Sequence, residues 1–173
     1  MSTPEFSRAI PVARLKPGGA AYEITANAEE RAALARRFAL QSVGRLDARI
    51  TLAREPGGGV RLDGTIEAEI VQTCVVTLGP APAALADAFA IVFRPGLDED
   101  EADRLTFETE EDVTFEPLDG DSIDIGEIAA QQLSLVMDPY PRAAGVAPVP
   151  EETPEETDRQ LPFAGLGSLT RKP

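Results

Sequence analysis

Residues 45–70 read RLDARITLAREPGGGVRLDGTIEAEI, and this stretch decides the fold. Leu46, Ala48, Ile50 and Leu52 alternate with Arg45, Asp47, Arg49 and Thr51, the period-two pattern of a strand buried on one face. Pro56-Gly57-Gly58-Gly59 then breaks the chain. Val60, Leu62, Gly64, Ile66, Ala68 and Ile70 resume the alternation against Arg61, Asp63, Thr65, Glu67 and Glu69. Two alternating runs around a glycine-rich turn predict a β-hairpin. Its second arm extends toward Val76, and an apparent change of phase near Val71 predicts a bulge there.

Working outward, residues 5–15 read as a short opening strand bent at Pro11. Residues 21–26 read as a second strand. Asn27 followed by Glu30 has capping-box spacing, and Leu34, Ala35 and Phe38 share a face, which predicts a helix near 28–40. Residues 85–94 (LADAFAIVFR) predict another strand, and 113–116 a short one. Asp124 three residues before Glu127 repeats the capping spacing. Ile125, Ile128, Ala129, Gln132, Leu133 and Val136 predict a helix ending before Pro139. The expected fold is α+β: a mainly antiparallel sheet or partial barrel with two helices, in one domain over residues 1–142. Residues 143–173 form a flexible tail in this reading, because the Ala/Pro/Glu/Thr composition of 143–160 cannot bury enough surface to order itself. A short apolar motif, LPFAGLGSL, follows at 161–169. It is either a linear motif for a partner or a segment that docks on its own domain.

Composition narrows the chemistry. There is no histidine among the 173 residues, which removes Ser-His-Asp and Cys-His catalysis and all His-ligated metal sites. The single cysteine, Cys74, makes neither an internal disulfide nor a structural zinc site, and its apolar setting reads as an inert buried thiol. No run approaches the roughly 18 apolar residues that span a bilayer. No metal, cofactor or membrane partner is expected.

The net charge of −14 is concentrated. Residues 1–97 hold 10 acids and 11 bases, whereas residues 98–127 hold 14 acids and only Arg104. Such a block repels phosphate and attracts basic proteins. Asp98, Glu99, Asp100, Glu101 and Asp103 are its densest part and are candidate partner-binding residues, the alternative being a solvated, solubilising loop. Val113, Phe115 and Leu118 offer apolar anchors beside the charge, and Phe163 offers another in the tail. Arg36, Arg37, Arg45 and Arg49 are candidates for an RNA-facing patch, without interleaved aromatics for base stacking. Gly120-Asp121-Ser122 looks like a hydrolase nucleophile segment but has no base to activate Ser122. Asp119, Asp121 and Asp124 lack the spacing of a calcium loop, and Asp124 fits a helix cap better.

Three segments, in order, resemble one family. They are residues 62–78 (LDGTIEAEIVQTCVVTL), residues 120–141 (GDSIDIGE through DPYP), and the terminal Leu161-Pro162-Phe163-Ala164 with Leu166 and Leu169. Together they resemble the YceD family, large ribosomal RNA subunit accumulation proteins, over most of the chain from about residue 43. The resemblance implies a cytoplasmic, non-catalytic ribosome assembly factor that supports accumulation and processing of large-subunit ribosomal RNA. Its expected partner is a basic ribosomal protein or the large-subunit pre-ribosomal particle, with direct RNA contact as an open alternative. A carboxylate- or metal-dependent RNA-processing enzyme using Asp119, Asp121 and Asp124, or a scaffold for other assembly factors, are the rival readings. Many members carry Cys-x-x-Cys where this chain has Cys74 and Thr77, so no role tied to that pair is carried over.

Overall fold

The computed structural model describes residues 4–16, 18–109 and 111–146. The predicted hairpin is its spine. Strand β3 (Ser42–Arg54) and strand β4 (Val60–Thr73) pair antiparallel through Leu46↔Ala68, Ile50↔Gly64 and Leu52↔Leu62. Glu55 N–H donates to the Gly59 carbonyl at 2.8 Å, and the turn passes through Gly57 and Gly58 at φ +81° and +85°. A side chain at either φ is strained, which is why this turn is written in glycine.

Around the spine lie β2 (Ala20–Thr25), β5 (Pro80–Arg94) and β6 (Thr114–Pro117), giving a five-stranded open sheet in the order β2-β3-β4-β5-β6. All neighbours are antiparallel except β5 and β6. β6 covers only Ile91–Arg94 of β5, so the first two-thirds of β5 is a free edge. That is where Pro80 and Pro82 are tolerated, since no outer strand needs their missing N–H. Strand β5 therefore begins five residues earlier than the sequence reading placed it.

One face of the sheet is the core. Leu46, Ile50, Leu52, Leu62, Ile66, Ile70 and Ile91 are essentially inaccessible, each contributing roughly 1.5–3 kcal/mol by burial. Helix α1 (Ala28–Arg37) inserts Leu34, and helix α3 (Ile125–Val136) inserts Ile125, Ile128, Ala129 and Leu133. Both helices have the predicted caps. Asn27 accepts from Glu29 and Glu30 N–H while Glu30 reaches back to Asn27 N–H at 2.8 Å. The opening segment is a three-residue strand, β1 (Ala9–Pro11), followed by a 3₁₀ turn at Val12–Arg14, not one strand over 5–15. It pairs with β7 (Ser122–Asp124) as a separate two-stranded sheet.

Two further expectations need correction. The acidic block is not a loop at its start. Residues Glu99–Glu108 form a third helix, α2, which packs with β6 and buries Ala102 and Val113 beside Val92, apart from the main core. The bulge is also not at Val71. Val43 pairs with Ile70 and Arg45 with Glu69, so the extra residue is Gly44 on the opposite strand. Alternation on β4 runs unbroken. Gln72 simply faces inward, with its amide donating to the Asp138 carbonyl at 2.9 Å. A satisfied inward glutamine beside an outward Val71 imitates a change of phase.

Candidate partner-binding surface

Helix α2 starts because Asp98 caps it, its carboxylate accepting from Glu101 N–H at 2.8 Å. Glu99, Asp100 and Glu101 in the first turn lie at the positive end of the helix dipole, which stabilises them there. Ala102, Leu105 and Thr106 form its inner face, and the Thr106 hydroxyl accepts from Phe115 N–H at 2.8 Å, tying helix to strand. Asp98, Glu99, Asp100, Glu101, Asp103, Arg104 and Glu108 all face solvent, a net charge of −5. In their midst is Phe107, 92% exposed. Asp100, Asp103 and Arg104 precede it by seven, four and three positions, so they share its stripe of the helix.

The anchors read from the sequence are largely used by the fold. Val113 is buried, Leu118 packs on the core, and Phe115 is half-buried with the Arg94 guanidinium 4.9 Å from its ring centre. Phe107 is not among the sequence candidates, because an acidic run without a clear apolar stripe reads as a loop. Once Ala102, Leu105 and Thr106 define the inner face, Phe107 falls outside it, and that offset was available from spacing alone. Glu116, on β6, has its carboxyl pushed above the usual range by burial. Phe163 lies outside the described residues.

The candidate RNA-facing arginines are not brought together. Arg45 and Arg49 lie on the outer sheet face, where Arg45 bonds Asp47 at 2.5 Å and Glu67 at 3.1 Å, and Arg49 bonds Glu23 at 3.3 Å. Arg36 and Arg37 lie on α1. Arg37 forms a two-pronged pair with Glu127 at 2.7 and 2.8 Å and a further contact with Glu5 at 3.1 Å. Arg36 is exposed.

The aspartates of the rival reading are spread along one segment. Asp121 gives its backbone carbonyl to Val12 N–H. The Asp124 carboxylate accepts from Gly126 and Glu127 N–H at 3.1 Å, from Arg8 N–H at 2.6 Å and from the Ser7 hydroxyl at 2.5 Å. Among the described residues, no group of three or more Asp, Glu or Cys side chains converges to hold a metal ion. Cys74 is buried, and its sulfur accepts from Thr77 N–H at 3.4 Å. The Thr77 hydroxyl and the N–H groups of Thr77 and Ala143 hold the thiol down at about 6. Thr77, where a Cys-x-x-Cys pattern would have its second cysteine, thus donates a hydrogen bond to Cys74.

These features define a class: an α+β domain on an open, mainly antiparallel sheet, carrying an acidic helix tipped by an exposed aromatic residue. No helix among the described residues is long and apolar enough to cross a membrane. The chain belongs to the YceD family, described as large ribosomal RNA subunit accumulation protein YceD, whose model matches residues 62–170. The matched span opens on β4 and contains β5, α2, β6, β7, α3 and the 161–169 motif. The family's description ties the chain to accumulation of large-subunit ribosomal RNA. Neither a curated protein nor a solved structure matches it.

Proposed function

We propose that this protein is a non-catalytic assembly factor that supports large-subunit ribosomal RNA by binding a basic large-subunit ribosomal protein through α2, in the cytoplasm. The observation that carries the reading is the fully exposed Phe107 set among Asp100, Asp103 and the other acids of α2. An aromatic side chain left in water gains roughly 1.5–3 kcal/mol when a partner buries it. The surrounding negative charge speeds encounter with a basic surface and disfavours nucleic acid. The RNA reading draws less support, because Arg37, Arg45, Arg49 and Arg61 are each already paired with carboxylates.

The test is binding of the purified full-length chain to individual large-subunit ribosomal proteins, with both rate constants measured across a salt series. Replacing Asp98, Glu99, Asp100, Glu101 and Asp103 by their amides slows association and flattens its salt dependence. Asn at position 98 still caps the helix, so the fold is kept. Phe107→Ala speeds dissociation, weakening affinity by about tenfold to a hundredfold. Unchanged rates in both variants refute α2 as the binding face. Magnesium-dependent cleavage of precursor RNA by the purified chain refutes the non-catalytic reading.

A further inference from the structure

Six large hydrophobic side chains are exposed among the described residues, and Phe107 accounts for one. The other five come from two short segments: Val75 (47% exposed), Val76 and Leu78 (76%) after β4, and Leu135 and Tyr140 (71%) at the end of α3 and just beyond. The segments are fastened together. Gln72 Nε2 donates to the Asp138 carbonyl and Val75 N–H to the Pro141 carbonyl, both at 2.9 Å.

The loop that presents Val75, Val76 and Leu78 is rigidly closed. Cys74 N–H donates to the Gly79 carbonyl at 2.8 Å, Leu78 N–H to the Cys74 carbonyl at 2.9 Å, and Thr77 N–H to the Cys74 sulfur. Leu78 holds φ +58°, a left-handed conformation that costs a leucine energy. This strained leucine leaves three-quarters of its surface exposed. The loop is a preformed apolar knuckle without a partner among the described residues.

The described chain leaves the domain at this knuckle. The Pro141 carbonyl accepts from Val75 N–H, and the last turn closes at Val146 N–H to the Ala143 carbonyl. Fourteen residues separate Val146 from Leu161, where the apolar stretch LPFAGLGSL begins. Fourteen residues reach at most about 50 Å, enough to return to the knuckle, and a tether of that length sets an effective concentration on the order of millimolar. Even a weak apolar contact is then substantially formed within one chain, ahead of any partner at cellular concentration. The intervening residues are Pro-, Glu- and Thr-rich, and besides Ala147 and the prolines Val149 is their one apolar side chain.

We propose that residues 161–169 dock on the apolar surface formed by Val75, Val76, Leu78 and Tyr140 of the same chain. Phe163, Leu161 and Leu166 supply the buried contacts, and Gly165 and Gly167 let the segment follow the knuckle closely. The tail then shields the surface until a competing apolar partner displaces it.

The test uses the full-length chain carrying Cys74→Ser and Ser168→Cys, spin-labelled at residue 168 and observed through methyl and amide signals. The Val75, Val76, Leu78 and Tyr140 signals lose most of their intensity, independently of protein concentration, and recover it when Phe163→Asp is added. Full intensity at these four residues overturns the proposal. So does broadening that arises only between labelled and unlabelled molecules in a mixed sample, which assigns the surface to a second copy. In case Cys74→Ser disturbs the loop, the unlabelled chain with native Cys74 is compared with Phe163→Asp alone. Docking shifts the same four residues and leaves the β3–β4 hairpin unmoved, whereas no shift at all overturns it.

Discussion

Asp124→Ala removes more than a helix cap, and the structure gives the size of the loss. The carboxylate accepts four hydrogen bonds: Gly126 and Glu127 N–H at the start of α3, Arg8 N–H, and the Ser7 hydroxyl. The first two are the cap, worth about 1 kcal/mol. The bonds from Arg8 and Ser7 reach 116 and 117 residues back along the chain and fix the N-terminal segment against α3. A hydrogen bond to a charged acceptor contributes about 1.5–3 kcal/mol, less where water can replace it, as it can at this half-buried group. The sum for Asp124→Ala is about 3 kcal/mol, larger than any cap alone. Asp124→Asn keeps an oxygen for the three backbone donors and offers an amide N–H to Ser7, so it costs about 1 kcal/mol. Urea unfolding of both variants at constant m-value measures the difference. Amide exchange at Arg8 should accelerate in the alanine variant more than at core residues of β3. An alanine variant that loses less than about 1 kcal/mol, no more than a lost cap, refutes the view that Asp124 joins the two ends of the domain.

Three further outcomes follow from single contacts. Gly126→Ala places a Cβ against the Phe6 carbonyl, with Arg8 N at 3.1 Å, so it destabilises by about 1–3 kcal/mol in urea unfolding although alanine is the better helix former. Glu116→Gln is more stable than the parent at pH 7, because burial raises the Glu116 carboxyl above the ordinary glutamate value of 4.5 and ionisation therefore favours the unfolded chain. That gap closes as the pH falls below 4.5, where both forms are neutral, and unfolding midpoints across pH 4–8 read it. Phe107→Ala leaves the urea midpoint unchanged, since the ring buries almost nothing in the fold, while partner affinity drops.

The parts of the fold that were legible in the sequence are those set by local repetition. The β3–β4 hairpin follows from strict alternation around Pro56–Gly59, and both capped helices follow from Asn27/Glu30 and Asp124/Glu127. What escaped depends on contacts between distant residues. Helix α2 buries only Ala102, with Leu105 and Thr106 partly covered, too thin an apolar stripe to stand out from a run of acids, so the sequence reads there as a loop. Gln72 looks like an outward residue until its partner, the Asp138 carbonyl, is known. The pairing of Arg49 with Glu23 depends on the β2–β3 register, which places the two residues directly opposite. The same charges seen without that register read as an open basic patch. The pairing of β1 with β7 joins residues more than a hundred positions apart, and no periodicity announces it.

The claim that α2 carries the function is tested most directly by the ratio of large- to small-subunit ribosomal RNA in cells whose only copy of this protein bears Phe107→Ala together with the five amide replacements at 98–101 and 103. The variant must accumulate to the normal level, so that loss of the protein itself is not what is measured. The account predicts that the ratio falls to that of cells lacking the protein, while restoring the native α2 sequence recovers it. A normal ratio in the variant cells would contradict it.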